Sequence, residues 1–189
     1  AIGPRDRATW ALEVLPAVIG FVLVVWCFFR YPLTPLVYFL ILVHAVILMV
    51  GGHYTYAEVP LFDWFRDWFD WERNNYDKLG HLAQGFIPAI IAREVVIRFD
   101  VFSSRRWAAF FIVCFCLALS AFYELIEWWV ALLSDEAAEA FLGTQGYVWD
   151  TQSDMAWALS GATLLEGGVA EAVVGGALVF VLEHLVSLR

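Results

Sequence analysis

Five carboxylates and a histidine stand in pairs at helix spacing, each pair where an apolar segment begins or ends. Asp77 and His81 open one segment, Glu124 and Glu127 close the next, and Asp150 and Asp154 open the one after. Spacings of three and four put both members of a pair on one helix face. Near hydrocarbon an ionisable side chain is costly, about 2.5–3.5 kcal/mol at a helix centre and less at the interface, so a cluster marks a site. Carboxylate oxygens with one imidazole are the donor set of Mg, Mn, Fe or Zn, and carboxylate and histidine pairs from several helices build di-metal sites in helical bundles. Without a cation, five close carboxylates repel and some must protonate. Lys78 can offset one charge, although it points about 100° from Asp77 on the helix. The plain alternative is that Asp77 and Asp150 cap their helices and the glutamates face a wet rim. His53 and Glu58 lie in the connection on the same side and are candidate additional ligands.

The elements that must position these residues follow from composition. The chain is 62% hydrophobic and 16% charged, with mean hydropathy +0.71, against roughly half and a quarter in soluble domains. The expected class is all-α, a single integral membrane domain over 1–189. Its polytopic bundle has about five to six spanning helices and a short interfacial helix. Spans need about 20 apolar residues, and segments near 10–29, 34–50, 77–98, 107–133 and 151–187 meet that length. Glu166-Gly167-Gly168 interrupts the last, which is either one broken helix or two short ones. Gly51-Gly52 is expected to end the second helix, and Ser103-Ser104 to cap the fourth. The first follows Arg5 and Arg7 without a small-residue cleavage pattern, so it reads as a retained helix.

Residues 61–74 form the interfacial segment. Leu61, Phe65, Trp68 and Phe69 share one helical face, and Asp63, Arg66, Asp67 and Asp70 lie largely on the other. That pattern suits either a helix in the membrane interface, with tryptophans at headgroup depth, or one packed on the protein. Successive spans alternate direction, so all three acidic pairs arrive at one membrane face. Basic residues divide four against five between the two sides, which does not orient the chain; acidic loops at 58–76 and 134–150 lean towards an outward-facing site. The net charge of −9 argues against nucleic acid and against polybasic docking on anionic lipid. Cys27, Cys114 and Cys116 lie in apolar runs and read as small apolar side chains. His44 inside the second helix reads as a hydrogen bonder to a neighbouring helix. Glu94 is placed to pair with Arg98, Arg93 to snorkel, and His184 to sit at an interface.

Four segments, Gly52-His53-Tyr54-Thr55-Tyr56-Ala57-Glu58-Val59-Pro60, Tyr76-Asp77-Lys78-Leu79-Gly80-His81, Tyr123-Glu124-Leu125-Ile126-Glu127-Trp128 and Trp149-Asp150-Thr151-Gln152-Ser153-Asp154, resemble the bacterial inner-membrane YjdF family. The likeness covers roughly residues 30–165. It implies a multi-pass protein of the bacterial inner membrane and no particular reaction. A weaker resemblance is to VanZ-like membrane proteins: Asp77, Lys78, His81, Glu124 and Asp150 match their pattern, while Glu127 and Asp154 stand where that pattern has amides. Both departures favour cation binding.

Three functions compete at this level. The first is a metal-dependent enzyme acting on a lipid or lipid-linked substrate through activated water, since no Gly-x-Ser-x-Gly motif occurs. The second is a non-catalytic subunit of a membrane complex, with the cluster as an interhelical staple. The third is an ion pathway, which the end-of-helix position and the lack of an inverted repeat disfavour.

Overall fold

The computed structural model describes residues 3–5, 7–132 and 145–167. Six helices occur among them: α1 (Arg7–Phe28), α2 (Pro35–Tyr54), α3 (Pro60–Phe69), α4 (Tyr76–Arg98), α5 (Arg105–Ala131) and α6 (Asp150–Glu166). The all-α expectation holds over these residues, which include no strand. Three helices, α1, α2 and α5, are long and apolar enough to cross a membrane. The expected five to six spans are therefore not confirmed: three candidates occur among the described residues. α4 has the length, 23 residues, but carries Asp77, Lys78, Arg93, Glu94 and Arg98, and α6 has 17 residues. The expected continuation of α6 over 172–186, His184, the 134–144 part of the acidic loop and the end of α5 at 133 lie outside the described residues.

α4 is the central helix, packed on α2, α5 and α6, while α1 lies on α2. Its closest neighbour is α6, because two glycines remove the side chains that would hold the backbones apart. A Cβ on Gly85 would stand 1.8 Å from the Ala158 carbonyl oxygen, and one on Gly161 would stand 2.2 Å from that of Leu82. Ala158 and Ala162 on α6 and Ala89 on α4 are fully buried. Close approach through small residues is how helices gain contact in lipid, where apolar burial gives little net drive. Further along, Val37, Ala89, Ile90, Ile112, Cys116, Ala162 and Leu165 form one core shared by α2, α4, α5 and α6.

The far end of α4 is pinned by polar bonds. Glu94, 2% exposed, accepts hydrogen bonds from the Thr34 backbone N–H at 3.0 Å and the Thr34 hydroxyl at 2.9 Å. It thus caps the amino end of α2 from another helix, satisfying a donor that α2 itself cannot. Arg98 pairs with Glu94 at 2.9 Å, at the spacing expected, and also reaches the Pro32 carbonyl. Arg93 pairs with Glu166 of α6 at 2.9 Å instead of snorkelling.

α2 does not stop at Gly51-Gly52. It runs on to Tyr54 and ends where Thr55 and Tyr56 take positive φ, 63° and 45°. The glycines serve packing instead: a Cβ on Gly51 would lie 2.3 Å from the Tyr56 ring, and one on Gly52 2.9 Å from Glu13 Cβ. Ser104 takes the N-cap position of α5 without a side-chain cap bond. α3 ends at Phe69, with Asp70 left-handed at φ 53°, so it is shorter than the 61–74 segment. It buries no residue, and Leu61, Trp64, Trp68 and Phe69 are all exposed.

Gly85→Ala or Gly161→Ala should therefore lower stability by about 1–3 kcal/mol, the usual cost of overpacking. Gly20→Ala, where nothing lies within 4 Å, should be neutral or slightly stabilising, because alanine is the better helix former. Thermal unfolding of the detergent-solubilised variants checks the contrast.

Candidate functional site

The first turns of α4 and α6 and the last turns of α5 meet at one end of the bundle. Asp77 and Asp150 are not caps: the N-cap positions belong to Asn75 and Trp149, neither with a side-chain cap bond. Their carboxylates turn instead into the cluster. His81 is its centre. Its Nε2 lies 3.3 Å from Asp77 Oδ1, 3.7 Å from Glu124 Oε1 and 4.0 Å from Asp154 Oδ2. Two groups of three result, Asp77–His81–Asp154 and His81–Glu124–Glu127, each with donor atoms within 4.8 Å of one another. His81, Glu124, Glu127 and Asp154 are buried. Glu124 Oε1 and His81 Nδ1, both sealed from solvent, make no hydrogen bond.

Asp150 belongs to neither group. It is held by cations: Arg73 Nη1 at 2.6 Å and Lys78 Nζ at 2.8 Å. Lys78 also reaches Asp154 Oδ1 at 2.5 Å and Asp77 Oδ2 at 3.5 Å. Helix angle alone underrates Lys78, because its four-carbon stem reaches across to α6. The Tyr147 ring lies 5.5 Å from the Arg73 guanidinium and 5.9 Å from Lys78 Nζ, within cation–π range. The cluster thus has a charge-paired side at Asp150 and an imidazole-centred side at His81, with Asp77 and Asp154 shared between them.

Glu13 is a lone acid in an apolar helix and was not among the expected site residues. It is 4% exposed, and Tyr123 donates to its carboxylate at 3.0 Å. Tyr56, just past α2, packs its ring into the notch at Gly51 and against Gly80. Burial, then the charge on Glu13, pushes its hydroxyl well above the ordinary phenol range, so it stays protonated. The signal for Glu13 was available: an ionisable residue inside an apolar span is a site candidate by default. The signal for Tyr56 was not, since only the three-dimensional notch selects it.

His53 and Glu58 join neither group. Glu58 pairs with Arg5, and the His53 ring packs on Tyr54 at 4.6 Å. His44, expected to bond a neighbouring helix, has its Nε2 buried without a hydrogen-bond partner. Asn74, fully buried, ties the surroundings together. Its side-chain amide donates to the Val59 carbonyl at 3.0 Å and Asp63 at 3.1 Å, and its Oδ1 accepts from the Tyr76 N–H at 3.1 Å. Its backbone exchanges two bonds with the Gln145 side chain, at 3.0 and 2.9 Å.

A family described as "Predicted membrane protein (DUF2238)" matches residues 1–170. "Inner membrane protein YjdF" of Escherichia coli (strain K12) is 53% identical over 161 residues, covering 85% of this chain and 77% of that protein. The resemblance drawn from the four motifs is therefore upheld. No solved structure matches.

Lys78→Met should destabilise strongly, by about 3–5 kcal/mol, because it leaves buried Asp154 without its cation beside Asp150, which keeps only Arg73. Adding Asp154→Asn should recover part of the loss. Thermal unfolding of the single and double variants measures both.

Proposed function

We propose, for a chain that belongs to the DUF2238 family of predicted membrane proteins, a divalent-cation site at one face of the bilayer that acts on a lipid or lipid-linked substrate. The observation that carries this reading is the pair of carboxylate–imidazole groups sharing His81. Asp77, His81 and Asp154 form one donor set, and Glu124 and Glu127 extend it from α5. The charge balance points the same way. Six acids, Glu13, Asp77, Glu124, Glu127, Asp150 and Asp154, gather around two permanent cations, Arg73 and Lys78. Bringing that much negative charge out of water calls for protons or a metal. The oxygen-rich donors suit Mg, Mn, Fe or Zn. A bound cation would activate water or polarise a phosphoryl or carbonyl oxygen. Asp150 is assigned to charge pairing and not to the metal.

In this reading the protein crosses the bacterial inner membrane several times, with α4 packed among α2, α5 and α6. The exposed aromatic face of α3 lies at headgroup depth, where it would meet acyl chains entering the site. The weaker likeness to VanZ-like proteins adds no reaction to this.

A second reading is favoured by the Lys78 and Arg73 ion pairs: the cluster is an interhelical staple in a non-catalytic subunit of a membrane complex. Metal analysis of the purified protein separates the two. Bound metal is expected in the wild type. It should be lost in Asp77→Asn and Glu124→Gln and retained in Asp150→Asn. Absence of metal in the wild type after supplementation with each of the four ions would leave the staple. Bound metal without turnover of lipid phosphates or lipid esters would remove the enzyme and keep the site.

A further inference from the structure

Beside His81 lies a cavity of about 80 Å³, walled by α1, α2, α4 and α5. Its polar lining includes Glu13, His44, Tyr56, His81, Tyr123 and Glu127, with Asp77 and Gln84 at its border. Tyr123 donates to Glu13 at 3.0 Å, but two buried imidazole nitrogens, His44 Nε2 and His81 Nδ1, have no protein partner. They belong to residues on different helices that border the same cavity. Buried polar atoms left without a partner are rare in native structures, and an ordered water is the usual remedy. A water occupies about 30 Å³ and needs two to four polar neighbours. The cavity has room for two or three, and its lining offers the donors and acceptors. Most of its lining surface is apolar, and the polar groups set into it are what a water would bond.

We propose that this cavity is a hydration site, holding two or three water molecules that bridge His81 and His44 to Glu13, Glu127 and the two tyrosine hydroxyls. The hydration stands on the cavity alone. Its use, keeping water within reach of the cation, rests on the reading above.

X-ray radiolytic labelling in ¹⁸O water, with the protein in lipid nanodiscs, tests it. Radicals formed from bound water modify the side chains next to it. Tyr56, Tyr123 and His44 should take up label several-fold faster than Phe122 and Trp128, which are exposed on the outer surface of α5 and would be shielded by lipid. Glu13→Leu should cut labelling at Tyr123 and His44 several-fold; if that variant does not fold, the wild-type comparison decides. Labelling of Tyr123 and His44 no faster than of Phe122 and Trp128 would overturn the proposal. Chelator-treated protein should label as before, so failure of the cation reading leaves this result intact. Protein that binds metal yet stays unlabelled in the cavity would overturn the hydration site and leave the metal.

Discussion

Everything at the acidic end of this bundle depends on how close α4 can come to α6. Gly85 and Gly161 let each backbone rest on the other's carbonyl groups, at separations that no Cβ would allow. The approach is reciprocal, since each helix supplies the glycine that admits its neighbour. With side chains in between, Lys78 would not reach both Asp150 and Asp154, and His81 would not lie within 4.0 Å of Asp154. In lipid, apolar side chains gain little by leaving one hydrocarbon surface for another, so close packing and polar bonds must supply the association. The two glycines provide the packing, and the cluster provides the polar bonds.

The same closeness brings an electrostatic problem that the fold settles only on one side. Around Asp150 the charge is paired: Arg73 and Lys78 both contact it, Lys78 is shared with Asp154 and Asp77, and Tyr147 covers both cations. Around His81 the acids gather more densely: Asp77 and Asp154 share Lys78 with Asp150, while Glu124 and Glu127 have only the imidazole beside them. A buried acid without a counter-charge weakens the packing around it unless a proton or a cation joins it. The excess of negative charge on that side is what the proposed cation would meet.

Much of this was legible in the residues. The order of α4, α5 and α6 and their starts are legible to within about two residues, while the end of α6 is left open between one broken helix and two short ones, and helix counting brings Asp77, His81, Glu124 and Asp154 to one end. The errors share a cause. Gly51-Gly52 was read locally, as a stop, when its meaning is tertiary: room for the Tyr56 ring and for α1. Lys78 was read by the direction of its helix position, when a flexible stem decides where the charge goes. Glu13 was passed over because its partner, Tyr123, is more than a hundred residues away. Asp77 and Asp150 fit the cap pattern of residue type, but the first turn also points them at the neighbouring helices, and there the stronger partners lie. Periodicity reports which residues share a face. It does not report what that face will meet.

Two stripes of small residues set a distance between helices but not a position along their axes, since smooth surfaces slide. One residue of slip is a shift of about 1.5 Å, comparable to the difference between the Lys78 bonds and no bond at all. The far end of α4 supplies the missing coordinate. Arg93 holds Glu166 of α6, and Glu94 holds Thr34 at the start of α2, so α4 is indexed against two neighbours at once. The polar contacts most distant from the acidic cluster thus act as its vernier, fixing to a fraction of a residue which atoms face each other at the opposite end.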